Sequence, residues 1–457
     1  MSGYRLPAPA GLLVERAHPL TFTFNGRRLA GFRGDTLASA LLANGVRLVG
    51  RSFKLHRPRG IWSCGVEEPS ALVDVGEGTR HTPNVRATLL PLGQGLAARS
   101  VNCWPGLELD LGAAAGWFGA LLPAGFYYKT FKWPSWRWFE PAIRRMAGLG
   151  HAPTEPDADR YEEIAASADV LIVGGGVTGL AAAVAAARAG ASTMLVASSA
   201  HLGGALAWRT DPEVAQLGAA ARSLGVRILT RTTAFGVYDH NLMCACETVS
   251  AGGARDSSAP ELRERLWKIR ARAIIAAAGA FERPLVFPDN DRPGVMLAGA
   301  AEKYARAFGV ACGRRAVIAA NSDFAYTVAA SLSQAGVQII ALIDRRAAGP
   351  AREAPHGVRV FTGATLASVS GARSVRGCTV APLADASRPI ERFGCDLILN
   401  AGGHAPAVHL HSQAGGKLRW LEESGMFVPD GAAPGLASVG ACAGVFARET
   451  AVSHAAE

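Results

Sequence analysis

Apolar and polar positions alternate near the amino terminus and run in solid blocks further on. Leu20 to Phe24 alternates as a strand, Asn25-Gly26 is a hairpin signal, and Leu29 to Phe32 reads as the return strand. Gly34-Asp35-Thr36-Leu37 then opens a short helix through Ala43, with Asp35 or Thr36 as its cap. From Ala168 onward, continuous apolar blocks bounded by glycine alternate with helical stretches, the pattern of buried parallel strands joined by helices. Val170 to Val173 and Thr193 to Val196 flank an alanine-rich helix, Leu180 to Arg188. A second unit of the same order follows: strand Ala316 to Ala320, helix Phe324 to Gln334, Gly336, and strand Gln338 to Ile343. Further apolar strands lie at Ala273 to Gly279, near Leu397 to Gly403, and in Pro434 to Gly444. Residues 101–165 fit neither period and are rich in aromatics and proline.

The two α/β units differ in their turns. Asp169-Val-Leu-Ile-Val-Gly-Gly-Gly-Val-Thr-Gly-Leu180 runs from a strand into Gly174, Gly176 and Gly179 and then into the helix. In such a unit the first glycine makes the tight turn, the second lets backbone approach a pyrophosphate, and the third lets helix pack on strand. The helix start at Val177 and Thr178 offers free N–H groups and a positive dipole end to phosphates. The second turn, Ala320-Asn-Ser-Asp-Phe324, has no glycine, and Asp323 would repel a phosphate. One dinucleotide is therefore expected, held by Gly174, Gly176, Val177, Thr178, Gly179, Ser198, Gly203, Gly204, Ala234, Gly279 and Gly440. The carboxylate that usually holds the adenosine ribose, about 20 residues into this motif, is replaced by Ala197 and Ser198. Ala441 and Cys442 follow Gly440 where related flavoproteins carry an aspartate for the ribityl chain, which favours NAD, with FAD as the alternative.

The expected fold is α/β, a two-dinucleotide-binding-domain, Rossmann-like architecture behind an amino-terminal β-grasp, ferredoxin-like domain. Its expected segments are 1–100 for the β-grasp domain, 101–165 for an aromatic packing segment, 166–312 with 395–457 for the dinucleotide domain, and 313–394 for the inserted, degenerate one. A plant-type ferredoxin carries three closely spaced cysteines after its first helix. Here Gly60 to Pro69 contains only Cys64, so the fold is expected without its cluster. The basic and aromatic run Gly125 to Pro134, followed by Trp136, Trp138 and Phe139, suits either stacking on bases or packing against a neighbouring domain or subunit.

Composition narrows this further. The 457 residues are 49% hydrophobic and 18% charged, enough for two or three large cores. No apolar run reaches the roughly 18 residues of a membrane span, and the first residues lack the apolar core of a signal peptide, so a cytoplasmic protein is expected. Eight scattered cysteines without a CxxC argue for reduced buried thiols and against a zinc or dithiol site. The net charge of +10, without a nucleic-acid motif, points to acidic ligands or an acidic partner subunit. No base-and-nucleophile set is visible. His404, His409 and His411 cluster without acidic neighbours and are expected at the surface.

Six motifs, in order, resemble the α subunit of heterotetrameric sarcosine oxidase: Arg51 to Gly60, Cys64 to Ser70, Pro123 to Phe131, Phe235 to His240, Glu282 to Phe287, and Asn290 to Met296. The resemblance implies a cytosolic complex with β, γ and δ subunits that demethylates sarcosine to glycine in one-carbon metabolism, the carbon leaving as formaldehyde or on tetrahydrofolate and oxygen becoming peroxide. It implies NAD on this chain, FAD and substrate on β, and a covalent FMN at the α/β interface. The family's chain continues into a folate-binding half, whereas this sequence stops at Glu457, so folate transfer is expected only from another chain. Two other readings stand beside it. One is the FAD-dependent α subunit of a dye-linked proline, hydroxyproline or opine dehydrogenase; the other is a truncated, non-catalytic scaffold.

Overall fold

The computed structural model describes residues 3–114, 116, 131–146, 150, 152–250, 261–350 and 352–456. The chain forms two compact units. The described residues of Met1–Ala158 and Pro284–Gly403 make one; those of Asp159–Ser250, Ala259–Arg283 and His404–Glu457 make the other.

The first unit is built on two five-stranded sheets. In the amino-terminal sheet, Glu15–Phe24 pairs antiparallel with Arg27–Arg33 and parallel with Ala97–Ser100. Leu72–Val75 and Thr82–Arg86 complete it. Asn25 and Gly26 both take positive φ, 49° and 76°, as the two-residue turn of such a hairpin requires. Helix Leu37–Ala43 is capped by Thr36, whose hydroxyl accepts from the Ser39 N–H while the Ser39 hydroxyl accepts from the Thr36 N–H. Asp35, the other candidate cap, is buried and instead pairs with Arg5 at 2.7 Å. This is the β-grasp arrangement expected from the alternating pattern.

The second sheet of this unit is fully parallel, in the order Val295–Leu297, Leu397–Ala401, Arg315–Ala320, Gln338–Asp344, Arg359–Thr362. Helices Ala298–Phe308 and Phe324–Gln334 accompany it, with a meander of Ala364–Ser370, Gly377–Pro382 and Glu391–Phe393. The inserted segment is thus wider than 313–394. Val295–Leu297 and Leu397–Ala401 belong to this sheet and not to that of the glycine turn. All five residues of Leu397–Ala401 are buried, so their apolar run carries no side-chain period that says which sheet they enter. The amino-terminal domain is not a separate body either. Arg57 pairs with Asp289 and Asp291 at 2.7 Å, Arg47 with Asp396 at 2.8 Å, and the Tyr304 hydroxyl donates to the Ser63 carbonyl at 2.9 Å.

The second unit is built on one seven-stranded sheet: Arg227–Leu229, Thr193–Val196, Arg160–Val173, Leu262–Ala276, Leu242–Thr248 and Thr232–Tyr238 in order, with Leu436–Ser438 also pairing with Leu262–Ala276. Arg160–Val173 and Leu262–Ala276 lie parallel along nearly their whole lengths. Only the last four residues of Arg160–Val173 read as a strand from apolarity. The preceding part is polar: Glu163 meets Lys268 at 2.5 Å on its outer face, and Glu162 meets Arg265 at 2.9 Å at the far end of its inner face. Its inner face packs Ile164, Ala166 and Ala168 on Trp267, Ile269 and Ala271.

Candidate dinucleotide site

The glycine turn is built as its spacing predicts. Gly174 has φ 124°, and a Cβ there would lie 2.2 Å from the Ala277 carbonyl oxygen. A Cβ on Gly179 would lie 1.9 Å from the Gly174 carbonyl oxygen, so strand and helix meet at a distance only glycine permits. Gly176 differs: with φ −74° it is the helix N-cap, and a Cβ there would meet nothing within 4 Å. Gly176 thus leaves room beside the start of Val177–Arg188, the end at which the N–H groups of Val177 and Thr178 lie. The helix behind it is anchored by Leu180, Val184 and four buried small residues, Gly179 and Ala181 to Ala183.

Several expected contacts gather around this turn. Gly203 pairs with Gly176 in a parallel bridge and donates to the Gly175 carbonyl at 2.7 Å. A Cβ on Gly204 would lie 3.0 Å from the Gly176 Cα, and one on Gly440 would lie 2.7 Å from the Thr178 side chain. Val439 donates to the Ala276 carbonyl at 2.9 Å, holding the carboxy-terminal strand end beside the turn. The Cys442 thiol donates back to Ala276 at 2.9 Å. Gly279, at φ 78°, follows the end of Leu262–Ala276 and has open space at its Cβ position. Ala234 lies at a bulge in Thr232–Tyr238, opposite Ala245, and packs on the core of the seven-stranded sheet.

Where a ribose carboxylate would stand, Ala197 is buried and Ser198 exposed. Hydrogen bonds from Ala197 N–H to Leu229 and from Arg231 N–H to Ser199 fix this loop against the neighbouring strand end. His201 shares the loop; burial and the Arg231 charge hold its imidazole below the usual histidine range. The ribose end is therefore neutral to cationic. The histidine cluster is corrected by the structure: His409 is exposed, but His411 is 1% exposed, with its ring 3.0 Å from the Lys417 carbonyl, so it is a core residue. His404 is half-buried and pushed below the usual range by burial and by Arg283.

Of the basic and aromatic run from Gly125 to Phe139, residues 125–130 lie outside the described residues. Within the rest, Trp133 and Trp138 are 84% and 76% exposed. The Arg51 guanidinium is buried and donates to the Leu107 and His56 carbonyls, and Arg57 and Arg59 are paired with Asp291. Arg51 thus serves the first unit's interior, while Arg57 and Arg59 tie its surface loops together.

The loop where a ferredoxin would wrap its cluster is organised differently, around a residue the sequence did not single out. The Glu68 carboxylate, 1% exposed, accepts from the N–H groups of Trp62, Ser63, Ser70 and Ala71 at 2.6 to 2.9 Å. Burial pushes this carboxyl up while those four bonds pull it down. Among the described residues no three His, Cys, Asp or Glu side chains converge as a metal site. No helix among them is long and apolar enough to cross a membrane.

Two dinucleotide-type domains, one carrying an open glycine cradle, define a two-dinucleotide-binding oxidoreductase fold, and comparison with known proteins agrees. L-proline dehydrogenase from P. horikoshii matches with a TM-score of 0.61 at 19% identity, over 95% of this chain and 71% of that one. A family model described as "FAD dependent oxidoreductase" matches residues 169–229, and one described as "2Fe-2S iron-sulfur cluster binding domain" matches residues 17–103. More particularly, the chain is a homologue of sarcosine oxidase subunit alpha. It is 46% identical to that of Rhizobium meliloti (strain 1021) over 97% of this chain and 45% of the relative. It is 37% identical to that of Corynebacterium sp. (strain P-1) over 100% of this chain and 45% of the relative. The chain thus spans less than half the length of these relatives. A [2Fe–2S] cluster takes four protein ligands, and residues 17–103 contain two cysteines, Cys64 and Cys103, so this chain's residues do not fit one.

Proposed function

We propose that this chain binds a single dinucleotide, NAD in preference to FAD, at the Gly174–Gly179 turn, as the α component of a cytoplasmic sarcosine-oxidising complex. The observation that carries it is the open space at the Cβ position of Gly176, a helix N-cap, beside Gly174 and Gly179, whose positions tolerate no side chain. The turn's N–H groups would hold the pyrophosphate, and Ser198 would accept or donate one neutral bond to the adenosine ribose. When bound, the dinucleotide would supply hydride-transfer chemistry; this chain's part is to bind and orient it. The catalytic flavins and the sarcosine site are proposed to reside on a β-type partner, with γ and δ subunits completing the complex.

Acid extraction of the purified protein followed by mass spectrometry should release one equivalent of NAD. FAD, or two equivalents of nucleotide, would overturn the cofactor reading. The isolated chain should form no peroxide from sarcosine, whereas co-expression with a β-type flavoprotein subunit should yield sarcosine-dependent peroxide. A second reading, an FAD-dependent α subunit of a dye-linked amine dehydrogenase, draws support from the flavin-dependent family matched at 169–229. FAD in the extract together with substrate-driven dye reduction would select it.

A further inference from the structure

The first unit contains a cleft of about 1010 Å³ that none of the functional assignments above uses. Five arginines line it, Arg27, Arg47, Arg99, Arg373 and Arg376, against one carboxylate, Glu108. Phe24, Leu29 and Leu48, all buried, form an apolar floor. The cations differ in what holds them. Arg47 is fixed by Asp396 at 2.8 Å and forms a rigid wall. Arg99 pairs with Glu77, and Arg373 with Glu108 at 2.5 Å, but all four of those side chains are at least 60% exposed. Such pairs contribute little to stability and exchange readily for another anion. The guanidinium groups of Arg27 and Arg376 have no hydrogen-bond or ion-pair partner among the described residues, although both residues line the cleft.

We propose that this cleft is a second ligand site, distinct from the glycine turn, for a small polyanion: a molecule bearing two or more carboxylate or phosphate groups on an apolar body. Like charges gathered at one concavity repel one another, and a bound anion relieves that repulsion. Every cation is arginine, whose planar fork matches carboxylate and phosphate oxygens two at a time. The volume matches that of small-molecule sites, and an apolar floor with a few convergent polar groups is their usual lining.

The test is calorimetric titration of the full chain with tripolyphosphate and, separately, with citrate at low ionic strength. At least one probe should bind with about 1:1 stoichiometry. Arg27→Gln/Arg376→Gln should weaken that binding at least roughly tenfold, since it removes two charge-assisted partners of the anion. The double variant should melt at the wild-type temperature, because neither arginine holds another residue. The two probes separate a phosphate site from a carboxylate site. Gly176→Val, which fills the dinucleotide cradle, should leave probe binding unchanged, so failure of the dinucleotide reading and failure of this one are distinguishable. No binding of either probe, equal binding by the double variant, or loss of binding in Gly176→Val would each overturn the proposal.

Discussion

The two strand–turn–helix–strand units have divided the parts of a dinucleotide site between them. The unit at 170–196 keeps the glycines and has lost the carboxylate at the end of its second strand, where Ala197 and Ser198 stand. The unit at 315–344 keeps a carboxylate at that place, Asp344, and has lost every glycine of the turn. Asp344 has found other use. It is fully buried, accepts from the Tyr326 hydroxyl at 3.0 Å and from Arg346 at 2.8 Å, and Arg346 also reaches Asp323 at 2.8 Å. The charge that would have met a ribose now closes the turn from inside. The phosphate half of a site cannot be replaced by side chains, because it depends on backbone approach; the ribose half can, because one side chain is exchangeable for another. A unit that loses its glycines therefore becomes scaffold, while a unit that loses its carboxylate can still bind.

The largest effect should come from the position where backbone meets backbone. Gly179→Val places methyls against the Gly174 carbonyl and, since neither strand nor helix can retreat from a packed core, should cost more than about 4 kcal/mol. Soluble yield and far-ultraviolet circular dichroism read this; a folded Gly179→Val protein would show that the turn is looser than described. Next comes the internal plug of the other unit. Arg346→Met leaves Asp344 buried with only Tyr326 and the Arg346 N–H position for company, at a cost of about 3 kcal/mol. Hydrogen exchange should locate the loss in the 315–344 sheet, with nucleotide content unchanged. A rise to two equivalents would mean that the plug conceals a live site, and the contrast between the units would fail.

Gly176→Val should do the reverse of Gly179→Val. Its backbone is in the extended region that any residue adopts, and a side chain there meets no protein atom. The melting temperature should hold while nucleotide affinity falls about a hundredfold or more, roughly 2.7 kcal/mol. Retained binding would place the pyrophosphate elsewhere.

How far the sequence foretold the molecule follows from the kind of interaction involved. The glycine turn and the Asn25-Gly26 hairpin were legible because backbone conformations that exclude side chains leave a mark at fixed spacing. The polar part of Arg160–Val173 was not, since ion pairs across to Arg265 and Lys268 take the place of apolar side chains there. The four-bond nest around Glu68 is local, but its donors are backbone N–H groups between Trp62 and Ala71, which leave no mark in residue type. The assignment of Leu397–Ala401 to its sheet, the burial of His411 and the arginine cleft depend on residues far apart in the chain. The cleft unites positions 27, 47, 99 and 373–376, a grouping that no local pattern records.

The smallest predicted effect tests whether the ribose half is exchangeable. Ser198 is exposed at the end of Thr193–Val196, while Ala197 is buried beneath the neighbouring strand, so a carboxylate belongs at 198. Ser198→Glu should tighten NAD by about 1 kcal/mol, roughly fivefold, because a charge-assisted bond to the ribose diol exceeds the neutral bond a serine makes. Titration calorimetry on wild type and variant, at one salt concentration, measures it. Arg231, whose N–H donates to the Ser199 carbonyl, brings a positive charge to this loop that bears on the sign of any departure. Affinity for NAD that stays equal or falls, with tighter binding of a 2′-phosphorylated nucleotide by the wild type, would mean that this loop was remade to receive a phosphate. Loss of the carboxylate would then be a change of ligand, and the first unit would have adapted its ribose half in place of merely relaxing it.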